Sequence, residues 1–100
     1  LLCAVAKLLV CAVGQRGAVA RLGGDEFLVV LPGMAEGGAM EIAEQLRNSI
    51  ENLNVARLRP RASFGVASMT GVSWEEAVRQ SDQALYRAKN AGKNRVMCFG

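Results

Sequence analysis

Gly23-Gly24-Asp25-Glu26 is the stretch of this chain best suited to chemistry. It stands between two short flanks, Gly17-Ala18-Val19-Ala20 and Leu28-Val29-Val30-Leu31, which read as the strands of one hairpin with the acids at its turn. Glycines carry no Cβ and adopt positive φ freely, so the backbone amides of such a turn can come close to a phosphate. Adjacent carboxylates repel each other unless a cation sits between them and a ligand, and Mg²⁺ with a nucleoside triphosphate is a common partner of such a pair. The same four residues also suit an ordinary solvated turn. Further on, Lys89 and Lys93 stand at i and i+4, a spacing that sends both from one side of a helix end. A helix C-terminus favours lysine through its dipole even where no ligand binds. The chain has no histidine, so any catalysis here rests on carboxylates, lysines and a metal.

The elements that must position these residues follow from periodicity. Leu1, Leu2, Val5, Leu8, Leu9 and Ala12 recur at helical spacing, and Gly14 stands at the usual stopping place. This segment is apolar nearly all round apart from Lys7, yet it has no basic stretch before it, no small-residue cleavage site and too few residues to span a bilayer. A buried helix is the expectation. After the hairpin, Pro32-Gly33 and Gly37-Gly38 break the chain. From Ala39, the apolar Ile42, Ala43, Leu46, Ile50 and Leu53 share one face, while Glu41, Glu44, Arg47, Asn48 and Glu51 cover the other. Residues 62–69 have strand character, with Gly65 marking a bulge or a close backbone approach. Ser73 and Glu76 have capping-box spacing and open a helix that runs to Asn90. Trp74, Ala77, Val78, Leu85 and Ala88 are its core face, and Gly92 is its stop. Residues 94–99 make a last strand. Helix, hairpin, helix, strand, helix, strand is an α/β order, with helices covering a mixed, largely antiparallel sheet.

One hundred residues with 51% hydrophobic content fit one small globular domain with a real core. A net charge of +3, spread along the chain, does not call for nucleic acid. Arg57, Arg59 and Arg61 read as a local anion patch or as a solvated loop before a strand. Cys3, Cys11 and Cys98 are odd in number and lie at no zinc-binding spacing, which fits a reducing cytoplasm. The chain starts at Leu1 inside a helical segment and reads as a piece of something longer, with no direct membrane contact from this segment.

Arg21-Leu22-Gly23-Gly24-Asp25-Glu26-Phe27 resembles the signature of the GGDEF family, the diguanylate cyclases, whose five-letter motif stands intact at residues 23–27. Ser63-Phe64-Gly65-Val66-Ala67 is similar to the family's Ser-Ile-Gly-Val-Ala strand. Ser81-Asp82-Gln83-Ala84-Leu85-Tyr86-Arg87-Ala88-Lys89 resembles its Ala-Asp-x-Ala-Leu-Tyr-x-Ala-Lys helix, and Gly92-Lys93-Asn94 its Gly-Arg-Asn. The resemblance implies a palm-like fold and the condensation of two GTP molecules into cyclic di-GMP with release of pyrophosphate, by two domains meeting as a homodimer. It implies Asp25 as a ligand of Mg²⁺ or Mn²⁺ and as proton acceptor, and Glu26 as a second acid at the metal. Gly23 and Gly24 would let the backbone meet the nucleotide, and Lys89 and Lys93 would hold the terminal phosphates. A regulatory domain on the N-terminal side is implied as well.

Two departures qualify the resemblance. The family's first, central strand, with a further metal-binding aspartate, and its first helix, with the guanine-reading Asn and Asp, have no counterpart in residues 1–100. The chain therefore matches the C-terminal two-thirds of the domain. By itself it is expected to be inactive, with a gap between the hairpin and the strand around Phe64. The inhibitory Arg-x-x-Asp product site of many members falls on Gly14 and Gly17, with Arg16 out of register, so product feedback is expected to be absent. Three readings stay open: part of an active cyclase, a catalytically silent GTP-binding or protein-interaction module, and a small structural domain with an acidic hairpin.

Overall fold

The central helix of the computed structural model, which describes residues 2–23, 26–53 and 62–99, is α2 at Glu36–Glu51. Before it come α1 at Leu2–Val13, a 3₁₀ turn at Gly14–Arg16, β1 at Ala18–Gly23 and β2 at Glu26–Val30; after it come β3 at Phe64–Val66, α3 at Trp74–Asn90 and β4 at Val96–Cys98. Leu1, Gly24, Asp25 and the Arg57, Arg59 and Arg61 cluster lie outside the described residues.

Strands β1 and β2 pair antiparallel, and β3 and β4 pair parallel. The parallel pair is possible because α3 carries the chain back across it, the usual crossover between parallel neighbours. Antiparallel and parallel pairing thus coexist as expected, but in two separate two-stranded sheets rather than in one. Each of β2 and β3 uses one edge only, and among the described residues the two do not pair with each other. Among the described residues the two halves are joined by side chains and not by backbone hydrogen bonds between β2 and β3.

Helix α2 is the bridge. Its Ile42, Leu46 and Ile50 are buried with Leu9 of α1, and Val19, Phe27 and Leu31 from the hairpin pack on the same cluster as Phe64 of β3. Burying side chains of this size stabilises by about 1.5–3 kcal/mol each, so this one apolar stripe carries much of the cohesion between the halves. Helix α2 starts earlier than expected, because Gly37 and Gly38 lie in its first turn and do not break it. First-turn N–H groups have no intrahelical acceptor in any case, and the amide of Ala39 already donates to the Ala35 carbonyl at 3.0 Å.

Two other expectations change. Helix α1 is buried on one side: Leu9 and Val13 are enclosed, whereas Val10 is 58% exposed, and among the described residues α2 and β1 are the main elements packed on it. Trp74, expected in the core, is 48% exposed because it is the first residue of α3, where the helix has just emerged from its cap. The buried stripe of α3 is made of alanines, Ala77, Ala84 and Ala88. Strand β3 also approaches α3 very closely, with a Cβ on Gly65 standing 2.1 Å from the Ser81 carbonyl oxygen. The strand is also shorter than residues 62–69, as pairing extends only as far as β4 runs beside it.

Candidate functional site

The hairpin reaches Glu26 through an irregular register. Arg21 pairs with Phe27 and Gly23 with Glu26, so one extra residue of β1, Leu22, is accommodated in a bulge. Bulges twist a strand and re-aim its side chains, and they recur beside active sites. Side chains alternate across a strand. Phe27 packs on the core cluster, so Glu26 falls on the opposite face, and it is exposed. Gly24 and Asp25, between Gly23 and Glu26, lie outside the described residues.

The lysines come from the end of α3. Ser73 caps the start of that helix by accepting the Glu76 amide at 3.1 Å, as the capping-box spacing foretells. The carboxylate of Glu76 is gripped by Arg79 and Gln80, and the Arg79 hydrogen bond holds its pKa below the ordinary value. At the other end the Gly92 amide donates to the Lys89 carbonyl at 3.4 Å and the Lys93 amide to the Ala88 carbonyl at 3.0 Å. Together these bonds form a Schellman motif, with Gly92 at φ +127° supplying the conformation that side chains resist. Lys93 therefore lies past the helix, at φ 64°. The i, i+4 spacing does not place it on a helical face with Lys89; the reversal of the chain gathers both residues at one end of α3. Both side chains are exposed, and among the described residues neither is in an ion pair.

The structure thus places Gly23 opposite Glu26, and gathers Lys89 and Lys93 at the same end of α3. Gly23 and Glu26 belong to the β1–β2 ladder, whereas Lys89 and Lys93 stand at and just past the end of α3, and the hairpin and α2 share one apolar cluster. Among the described residues no group of three or more Asp, Glu or Cys side chains could hold a metal ion. Glu26 does offer one exposed carboxylate, a hard oxygen donor of the kind that Mg²⁺ and Mn²⁺ take.

Sequence reasoning missed Asn94 except as part of a motif. It follows Lys93 in a second left-handed conformation, φ 48°; its side-chain amide bonds Arg47 and Glu51 of α2, and its backbone amide donates to Ser63 in the segment before β3. Left-handed non-glycine residues cost on the order of 1–3 kcal/mol each, and asparagine is the side chain that tolerates the region best after glycine. An asparagine two residues beyond a helix-ending glycine was the available signal.

At the far end of the hairpin, Arg16 turns back on α1 and donates to the Ala12 and Val13 carbonyls. A Cβ on Gly17 would lie 1.9 Å from the Val30 carbonyl oxygen. Neither residue is therefore arranged as an open anion grip. Among the described residues, no helix is long and apolar enough to cross a membrane.

Comparison with known proteins agrees with this arrangement. The chain is 40% identical over 98 residues to the diguanylate cyclase DgcM of Escherichia coli, covering 96% of this chain and 24% of that protein. It is 41% identical over 85 residues to the diguanylate cyclase VdcA of Vibrio cholerae, covering 77% and 25%. The chain thus spans about a quarter of the length of these curated relatives. Its fold matches the active GGEEF domain of a diguanylate cyclase from Vibrio cholerae with a TM-score of 0.87 and 30% identity, over 99% of this chain and 66% of that one. The Pseudomonas aeruginosa diguanylate cyclase SiaD, solved with its activator SiaC, matches at 0.84 with 28% identity, over 94% and 38%. The family model described as diguanylate cyclase, GGDEF domain, matches residues 1–95, and with the motif intact at residues 23–27 the chain belongs to the GGDEF family.

Proposed function

We propose that the full-length protein is a diguanylate cyclase that condenses two GTP molecules into cyclic di-GMP for second-messenger signalling. The observation that carries this reading is the intact Gly23-Gly24-Asp25-Glu26-Phe27 stretch at the bulged end of the hairpin, in a chain that shares 40% identity with a diguanylate cyclase. In the reaction, the 3′-oxygen of each GTP forms a bond to the α-phosphorus of the other, and at each phosphorus the bond to pyrophosphate breaks, so that two bonds close the ring and two pyrophosphates leave. Asp25 accepts the proton of the attacking hydroxyl. Gly23 and Gly24 admit the nucleotide to the backbone, and Lys89 and Lys93, exposed at the end of α3, bind the terminal phosphates and hold the leaving group. Asp25 and Glu26 would hold Mg²⁺ or Mn²⁺, and when bound the ion neutralises charge on the phosphates.

Each domain holds one GTP, so the reaction requires a homodimer in which two such sites face each other. Control by a regulatory segment elsewhere in the full-length protein fits the length of its relatives. A cytoplasmic setting, where GTP is made, suits the free thiols of Cys11 and Cys98. Incubating the full-length protein with GTP and Mg²⁺ should yield cyclic di-GMP and pyrophosphate. Binding of GTP with no product would overturn the catalytic reading and leave a GTP-binding module.

A further inference from the structure

We propose that Asn94 is a positioning residue for Lys93, locked by side chains of α2 so that the lysine is held ready for the terminal phosphates of a nucleoside triphosphate. The inference rests on the phosphate-binding role proposed for Lys93. It starts from the backbone: Lys93 and Asn94 are consecutive non-glycine residues at φ 64° and 48°, in a region that L-residues leave unless something holds them.

The hold is complete at both residues. The amide of Lys93 donates to the Ala88 carbonyl at 3.0 Å, and its carbonyl accepts from Arg95 Nε at 3.1 Å. The amide of Asn94 donates to Ser63 Oγ at 3.0 Å. Its side-chain Oδ1 accepts from Arg47 Nη1 at 3.2 Å, and its Nδ2 donates to Glu51 Oε2. Arg47 is in turn braced by Glu44, at 2.9 Å from Nε, by Asn48 Oδ1 at 3.2 Å and by Glu51 at 3.7 Å. Its side chain is only 15% exposed.

The chemistry of position 94 is narrow. The side chain must accept from a guanidinium and donate to a carboxylate at once, which an amide does. Aspartate would set two carboxylates against each other at Glu51, and alanine would lose both bonds while keeping a Cβ in the left-handed region. The network ties the residue after Lys93 to the helix that also carries the hairpin, so the lysine backbone is registered against the half of the domain that bears Glu26. A lysine whose backbone is already ordered gives up less freedom when it meets a phosphate.

Binding of GTP and of GMP to the full-length protein by calorimetry tests this, using Lys93→Ala, Asn94→Ala and Asn94→Gly. Glycine accepts the left-handed backbone without the side-chain bonds, so Asn94→Gly isolates the network even if Asn94→Ala folds poorly. Lys93→Ala should weaken GTP about tenfold or more and leave GMP nearly unchanged, as expected for one charge-assisted contact to the terminal phosphates. Asn94→Gly should reproduce most of that selective loss. If Lys93→Ala acts selectively and Asn94→Gly does not, the positioning role is overturned while the phosphate role stands. Equal loss for GTP and GMP in Asn94→Gly would show a merely structural residue and overturn the proposal. No selective loss in Lys93→Ala would overturn the phosphate role itself, and the proposal with it.

Discussion

Gly65 of β3 lies directly against Leu85 of α3: a Cβ on the glycine would stand 2.3 Å from the Leu85 amide nitrogen. Both partners are backbone, and neither side can yield by turning a rotamer. Gly65→Ala must push α3 away from β3 and open the alanine stripe of Ala84 and Ala88, both fully enclosed. Overpacking of this kind costs roughly 1–3 kcal/mol or more, and about 1 kcal/mol shifts the melting temperature of a domain this small by roughly 4–8 °C. Thermal unfolding of Gly65→Ala should show at least such a fall, and an unchanged midpoint would mean that the helix does not sit on the strand.

Asp25→Asn removes one charge from the acidic end of the hairpin at nearly constant volume. In the full-length protein it should abolish cyclic di-GMP synthesis and leave the melting temperature almost unchanged. Losing a metal ligand and proton acceptor in phosphoryl transfer costs on the order of several kcal/mol of transition-state stabilisation. Turnover within about tenfold of the wild type would therefore refute the role given to Asp25.

Product feedback through an Arg-x-x-Asp site is expected to be absent. Gly14 and Gly17 carry no guanidinium or carboxylate, and a side chain on Gly17 meets the Val30 carbonyl. Turnover should stay high as cyclic di-GMP accumulates. Installing Gly14→Arg and Gly17→Asp should lower stability, since Gly14 sits at φ +57°, where a side chain costs roughly 1–2 kcal/mol. Non-competitive inhibition by cyclic di-GMP that disappears in Arg16→Ala would contradict this account.

Glu44 and Glu76 link stability to acid. The hydrogen bond from Arg47 holds the Glu44 carboxyl below its ordinary value of 4.5, and that from Arg79 does the same for Glu76. A depressed carboxylate pKa means that the folded state binds protons less readily than the unfolded one. The stabilisation is therefore fully present above about 4.5 and is lost as pH falls through the lowered folded values. Both pairs are solvent-screened, so the effect is small. Melting curves between neutral pH and strong acid should flatten below that point in Glu44→Gln plus Glu76→Gln; an identical acid profile would show that these pairs do not contribute.

What the sequence determined is what depends on short-range pattern. Ser73 and Glu76 announced the start of α3, Gly14 and Gly92 marked helix ends, and the Gly17–Leu31 stretch declared a hairpin, because capping, left-handed turns and strand alternation act over a few residues. The family motif was legible for the same reason, being contiguous. Tertiary structure decided the rest. Trp74 looks apolar in any helical projection, but its place in the first turn leaves it in water. Gly37 and Gly38 look like breakers, yet the first turn of α2 can accept them. Whether the strands make one sheet or two depends on which edges meet across long separations, and here α2 bridges two ladders that do not bond. The Asn94 lock lay outside any local pattern, since Arg47 and Glu51 meet it from more than forty residues away. Such a contact exists only once the helix and the turn have been packed together.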